Sequence, residues 1–186
     1  MNLNDENTQI RDVLYRYARG VDRRDWEMVR DTYHPDAHDD HGSYKGNVPG
    51  LLEWLSRRHA HIEQSMHFIG NCLIEHVSED TALVEAYCTV FQRYGQDARE
   101  TIQTWLGSQA LPANQKIKVE LICRYVDIMK KTGGRWQIFD RTVVMEEVKM
   151  RVDADRLNSA HAMARRDRDD ILWCKQRALK PAAVTR

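Results

Sequence analysis

Thr81-Ala82-Leu83-Val84-Glu85-Ala86-Tyr87-Cys88-Thr89-Val90-Phe91-Gln92-Arg93-Tyr94 is the stretch whose reading decides the fold. It is rich in Val, Thr, Tyr and Cys, the composition of a pleated strand. Three more segments read the same way: Met66 to Val77, Lys116 to Lys131 and Arg135 to Val152. Ser78-Glu79-Asp80 and Lys131-Thr132-Gly133-Gly134 separate neighbouring strands and are short enough for antiparallel hairpins. Residues 95 to 115 either extend the flanking strands or form an inserted loop.

Towards the N-terminus the period changes. Ile10, Val13, Leu14, Tyr17, Ala18 and Val21 fall on one face of a helix of about four turns. Asp25 can cap a second helix through Trp26, Val29 and Tyr33. His34-Pro35 ends it, because proline disfavours helical geometry in the residue before it. A short extended piece over residues 36 to 41 leads to a turn around Gly42 and Gly46. A third helix is expected from Val48 to Gln64, with Leu51, Leu52, Leu55, His59 and Ile62 on one side. Helices followed by a run of strands predict an α+β fold, with N-terminal helices packed on one face of a strongly curved antiparallel sheet. Such a sheet closes a conical pocket, a natural ligand site. Beyond Asp153 the chain is strongly charged, with sparse apolar residues at Leu157, Met163, Ile171, Leu172 and Trp173. Residues 153–186 therefore read as a helical or irregular extension, packed on the domain or on a neighbouring subunit.

The 186 residues suit one domain with a terminal extension, and Lys+Arg and Asp+Glu are 28 each. With no net charge, nothing favours non-specific binding to nucleic acid or an anionic membrane. No apolar run approaches the ~20 residues of a membrane span. The start, Met1-Asn2-Leu3-Asn4-Asp5-Glu6-Asn7, is acidic and polar, unlike a secretory leader. Cys72, Cys88, Cys123 and Cys174 are widely spaced, which suits reduced thiols in a cytoplasmic protein rather than disulfides or a zinc site.

Particular residues add to the order of elements. They are Tyr17-Ala18-Arg19-Gly20-Val21-Asp22-Arg23-Arg24-Asp25-Trp26, Tyr33-His34-Pro35-Asp36-Ala37, Gly42-Ser43-Tyr44-Lys45-Gly46 and Met66-His67-Phe68-Ile69-Gly70-Asn71. Gly134-Arg135-Trp136-Gln137-Ile138 and Asp140-Arg141-Thr142-Val143-Val144 complete the set. In this order they resemble the SnoaL-like branch of the NTF2-like superfamily, over roughly residues 5 to 150. That branch includes scytalone dehydratase, the lindane dehydrochlorinase, the bile acid 7α-dehydratase and polyketide cyclases. The resemblance implies a domain over residues 1–152. It also implies that Asp22 orients His67 as a base and that Tyr17 lines the pocket. An arginine near the last strand serves some relatives, and Arg141 lies near that place. The expected activity is that of a cofactor-independent lyase, isomerase or cyclase acting on a small hydrophobic cyclic molecule. The superfamily also contains non-catalytic subunits, such as those of ring-hydroxylating oxygenases, so a ligand-binding or assembly role stays open. Relatives assemble through the exposed sheet face, which implies a homo-oligomer, a dimer or a trimer.

The residues suit that chemistry. Histidine titrates near neutrality, and a carboxylate on one ring nitrogen fixes its tautomer. A tyrosine hydroxyl can donate to a developing oxyanion. Without the resemblance, Asp22 reads equally well as a helix-terminus residue, His67 as a structural strand histidine and Tyr17 as core. His34, His38 and His41 with Asp36, Asp39 and Asp40 form the densest ligand-type cluster. Alternate strand residues face opposite ways, however, so three ligands do not converge and no metal site is expected. His41 is left as an auxiliary polar group facing the pocket, and Tyr87 and Phe91, on one strand face, as cavity-lining candidates. His59, His61 and His76 read as surface or packing residues, and Trp26, Trp54, Trp105 and Trp136 as core. Arg165-Arg166-Asp167-Arg168-Asp169-Asp170 alternates in sign and reads as a solvated or salt-bridged face.

Overall fold

The first helix, α1 (Leu3–Arg23), buries Ile10, Leu14, Tyr17, Ala18 and Val21 along the stripe its period predicts, in a computed structural model describing residues 3–98, 101–103, 115–153 and 160–179. Arg24 turns the chain in the left-handed region at φ 53°, and Asp25 caps α2 (Trp26–Asp31) by accepting from Met28 N at 3.2 Å. Gly20 permits the close α1–α2 approach, since a Cβ there would lie 2.7 Å from Val29 Cγ2. The second helix is shorter than its sequence suggests. Thr32 ends it, and Tyr33 opens strand β1 (Tyr33–Asp40), so Pro35 lies inside a strand. β2 (Lys45–Asn47) follows, and the Asn47 side chain caps α3 (Val48–His59). That helix also stops early: Ile62 already belongs to β3 (Ile62–His76).

β4 (Thr81–Tyr94), β5 (Ile117–Thr132) and β6 (Arg135–Val152) complete a meander. Gly133 and Gly134 adopt φ 58° and 80°, the two positive values that a tight β5–β6 turn needs. The sheet order is β2-β1-β6-β5-β4-β3. It is mixed rather than wholly antiparallel: β1 runs parallel to β6, pairing Asp39 with Arg141. Register shifts in β3 and β6 sharpen the curvature, and the sheet stays unclosed. The helices cover one face of this α+β fold. On β4 the covered positions are small, Ala82, Val84, Ala86, Cys88 and Val90, while α1 itself packs against β3 and β6. Large apolar groups stand exposed on the other face, among them Met66, Phe68, Tyr87 and Phe91.

The C-terminal segment returns to the helices and ends in α4 (Ile171–Leu179), with Trp173 buried and Arg19 over its ring. Leu157 and Trp105 lie outside the described residues. Among the described residues no helix is long and apolar enough to cross a membrane. Cys72, Cys88, Cys123 and Cys174 are free thiols.

Candidate active site

The last full turn of α1 and the inward parity of β3 bring Asp22 and His67 together. Asp22 Oδ1 lies 2.6 Å from His67 Nδ1 and accepts from Ser65 Oγ at 2.8 Å. Asp22 Oδ2 accepts from the His67 backbone N–H at 2.9 Å. Both side chains are about nine-tenths buried. A carboxylate only accepts, so Nδ1 carries the ring proton and Nε2 presents its lone pair. Burial opposes the imidazolium, but Asp22 outweighs it and His67 titrates above its ordinary value. Burial likewise pushes Asp22 upward, and the charge and hydrogen bonds of His67, with Ser65, hold it below the usual carboxylate range. The pair lines a cleft of about 310 Å³ between α1, β3 and α4, with Tyr15, Arg19, Ile69 and Leu172 on its walls. A larger cavity, about 470 Å³, opens at the other side of Ser65 and is walled partly by Gln92, Val119, Met150 and Arg166. The smaller cleft is the one whose walls include both Asp22 and His67.

A second cluster fills the space under the helices. Asp39, fully buried, accepts from Tyr33 Oη at 2.6 Å and from His41 Nδ1, and His41 Nε2 faces Tyr17 Oη at 3.1 Å. Beside it, Arg141 makes a fork with Asp127, at 2.8 Å from Nε and 2.6 Å from Nη2. Neither residue has any exposed side-chain surface. The Tyr17 and Tyr125 rings lie 4.3 and 4.2 Å from the guanidinium carbon, and Tyr33 lies 5.8 Å away. Burial works against the Arg141 charge, but Asp127 more than restores it. Among the described residues Arg141 Nη1 is buried with no hydrogen-bond partner. Burial also raises the Tyr17, Tyr33 and Tyr125 phenols, so all three stay protonated donors. Cys88, buried on β4 opposite Cys123 of β5, has its thiol pushed up by Cys123 and by burial, and the neighbouring Tyr125 ring is 5.8 Å from Tyr17.

Asp22 and His67 thus meet at one place, and Tyr17, His41 and Arg141 meet at another on the same side of the sheet. Tyr87 and Phe91 do not join either group. They are 51% and 43% exposed on the opposite face, because alternate strand residues diverge and the smaller parity of β4 turned inward. Phe91 lines the larger cavity, its ring edge-on to Phe68 at 6.0 Å. The His34–His41 cluster disperses: His38 turns to Asp140, His34 to Asp36 and His41 to Asp39. Among the described residues no three such side chains converge on a metal position. Sequence reasoning missed Asp39, Asp127 and Arg166. A charged residue on an inward strand parity, as Asp127 is between Tyr125 and Met129, was the available signal for one of them.

Helices laid on one face of a curved, unclosed mixed sheet define a known class of small α+β domain. Residues 3–142 match the SnoaL-like domain, and the chain belongs to that family. Among solved structures it is similar to a scytalone dehydratase-like protein from Novosphingobium aromaticivorans, at 16% identity and TM-score 0.62, covering 82% of this chain and 89% of that one. It is also similar to a hexachlorocyclohexane dehydrochlorinase, LinA type 2, at 15% identity and TM-score 0.66, covering 84% and 96%. A third, from the same Novosphingobium species and provisionally described as an aromatic ring hydroxylase, shares 19% identity at TM-score 0.65 over 81% and 96%. No curated protein sequence matches the chain. At these identities the structures share the fold.

Proposed function

We propose that the protein is a cofactor-independent lyase of the dehydratase or dehydrohalogenase kind, acting on a small hydrophobic cyclic molecule. The observation that carries this reading is the Asp22–His67 pair, with Nδ1 committed to the carboxylate and no partner on Nε2 among the described residues. His67 Nε2 removes a proton from a ring carbon next to the leaving group. The C–H electrons become the new double bond, and the leaving group departs with its own bonding pair as halide or, protonated, as water. Asp22 stabilises the imidazolium that forms. Isomerisation and cyclisation use the same base with the proton returned elsewhere. The two solved structures whose names denote a dehydratase and a dehydrochlorinase support the choice of elimination.

For a departing hydroxyl the proton comes from His67 itself, as the imidazolium formed in the first step, because Tyr17, His41 and Arg141 are not on the walls of the cleft that Asp22 and His67 line.

The test is a panel of halogenated cyclohexanes and cyclic β-hydroxy ketones followed for elimination. His67→Gln and Asp22→Asn should each lower the rate by about 10²–10⁴-fold, the usual worth of a positioned base. Elimination that persists in His67→Gln rejects the assignment. No turnover by folded wild-type protein favours a ligand-binding or assembly subunit.

A further inference from the structure

The run Arg165 to Asp170 hides one side chain unlike its neighbours. Arg166 is 6% exposed, and its guanidinium reaches three separate backbone segments. Nε donates to Asp22 O at 2.9 Å, Nη1 to Ile62 O at 2.7 Å and Nη2 to Val21 O at 2.8 Å. Nη2 also donates to His59 Nδ1 at 2.7 Å, the ring being kept neutral by burial and by Arg166 itself. Val21 and Asp22 carry carbonyls of the last α1 turn, where helical bonds run out; Val21 O has only a 3.3 Å bond from Arg24 N–H besides the Arg166 fork. Ile62 is the first residue of β3, three before Ser65 and five before His67. One planar fork therefore holds both the backbone of the acceptor, Asp22, and the strand that carries its two donors. β3 is an edge strand, paired on one side only, so the ladder alone does not set its place against α1.

We propose that Arg166 is a positioning residue: it clamps the end of α1 to the start of β3 and so holds Asp22 on His67. The inference rests on the dyad as the working centre and adds the part of the C-terminal segment that serves it. The clamp is itself anchored. Arg166 O accepts from Arg24 Nε at 3.2 Å, Arg168 pairs with Asp25 at 3.4 Å, and Asp170 lies 3.8 Å from Arg23. Trp173, under Arg19 and Arg168, seats α4 over the same helix. The charge of Arg166 also opposes protonation of His67, while Asp22 favours it.

Hydrogen exchange of the free protein reads the clamp without a substrate. The His67 amide donates to Asp22 Oδ2 and reports the pairing, and β4–β5 ladder amides report global opening. Arg166→Gln should cost the His67 amide about tenfold or more in protection relative to the ladder. Arg166→Lys keeps the charge but loses the fork, and should show the same selective loss to a smaller degree. The His67 titration, read by ring ¹⁵N shifts, should move upward in Arg166→Gln and stay nearer wild type in Arg166→Lys. The other groups around the ring, Asp22, Cys88, His59, Arg19 and Arg23, are the same in both variants. If Arg166→Gln does not fold, the Arg166→Lys exchange pattern decides. Protection that falls in parallel at His67 and the ladder, or does not fall, overturns the proposal and leaves Arg166 as general packing. Loss of the elimination reading would not alter this pattern, and loss of the pattern would not alter the effect of His67→Gln on turnover.

Discussion

Replacing Asp127 with alanine strands the Arg141 guanidinium at full burial, with both bonds of its fork removed. Breaking a buried pair by removing one partner costs about 3–5 kcal/mol, because the remaining charge stays desolvated. The tyrosine rings return part of this, since a desolvated cation over an aromatic face is worth ~0.5–2 kcal/mol, but those contacts exist in the wild type too. The expected loss is therefore close to the full range, or roughly 6–20 °C in Tm for a chain of this size. Replacing both partners, Asp127→Leu with Arg141→Met, removes the desolvation cost together with the attraction, and should lose less than Asp127→Ala alone. Urea unfolding followed by tryptophan fluorescence measures both, with equal m-values as the control. A loss below about 1 kcal/mol for Asp127→Ala, or a double variant as damaged as the single, refutes the reasoning.

The dyad makes stability depend on pH. The His67 pKa is raised above 6.5, so its contribution is complete below 6.5 and fades as pH rises through the folded value. The Asp22 pKa is lowered, so its contribution is complete above 3.8 and fades as pH falls through the folded value. The stability gap between wild type and His67→Gln should thus be widest between these limits and shrink above neutrality; a gap that widens with pH contradicts the pairing. Gly20→Ala should destabilise despite alanine's better helix propensity of ~1 kcal/mol, because its Cβ meets Val29 Cγ2 at 2.7 Å and overpacking costs ~1–3 kcal/mol; an unchanged urea midpoint would show that α1 and α2 are not in close contact. The exposed apolar face should pair copies of the chain, so light scattering should give a multiple of 21.8 kDa that Phe68→Asp lowers. A wild-type mass near 21.8 kDa at micromolar concentration removes that expectation.

The stripe of α1, the hairpin turns and the four long strands were legible because each is a local periodicity with a local stop signal. The helix ends were not. Tyr33 and Ile62 fit the helical stripes by spacing, yet each enters a strand because β6 and β4 offer it a ladder. The parallel β1–β6 pairing is a meeting of segments about a hundred residues apart, and nothing local in residues 33 to 40 encodes its direction. Asp22 and His67 were visible through the resemblance, with geometry now at 2.6 Å. Phe91 lines the larger cavity and Tyr87 stands exposed beside it on β4, because that strand carries large apolar groups on its uncovered parity as well and what packs on it settles which face turns inward. Arg166 carried no signal, since a buried clamp and a solvated arginine look alike in an alternating run of charge.

The most direct test of the dyad is the ring ¹⁵N spectrum of His67 across pH in wild type and in Asp22→Asn. The expected result is an Nδ1–H tautomer at neutral pH with a titration midpoint above 6.5, falling in Asp22→Asn. An Nε2–H tautomer in the wild type, or a midpoint that Asp22→Asn leaves in place, contradicts the assignment of His67 as a carboxylate-oriented base.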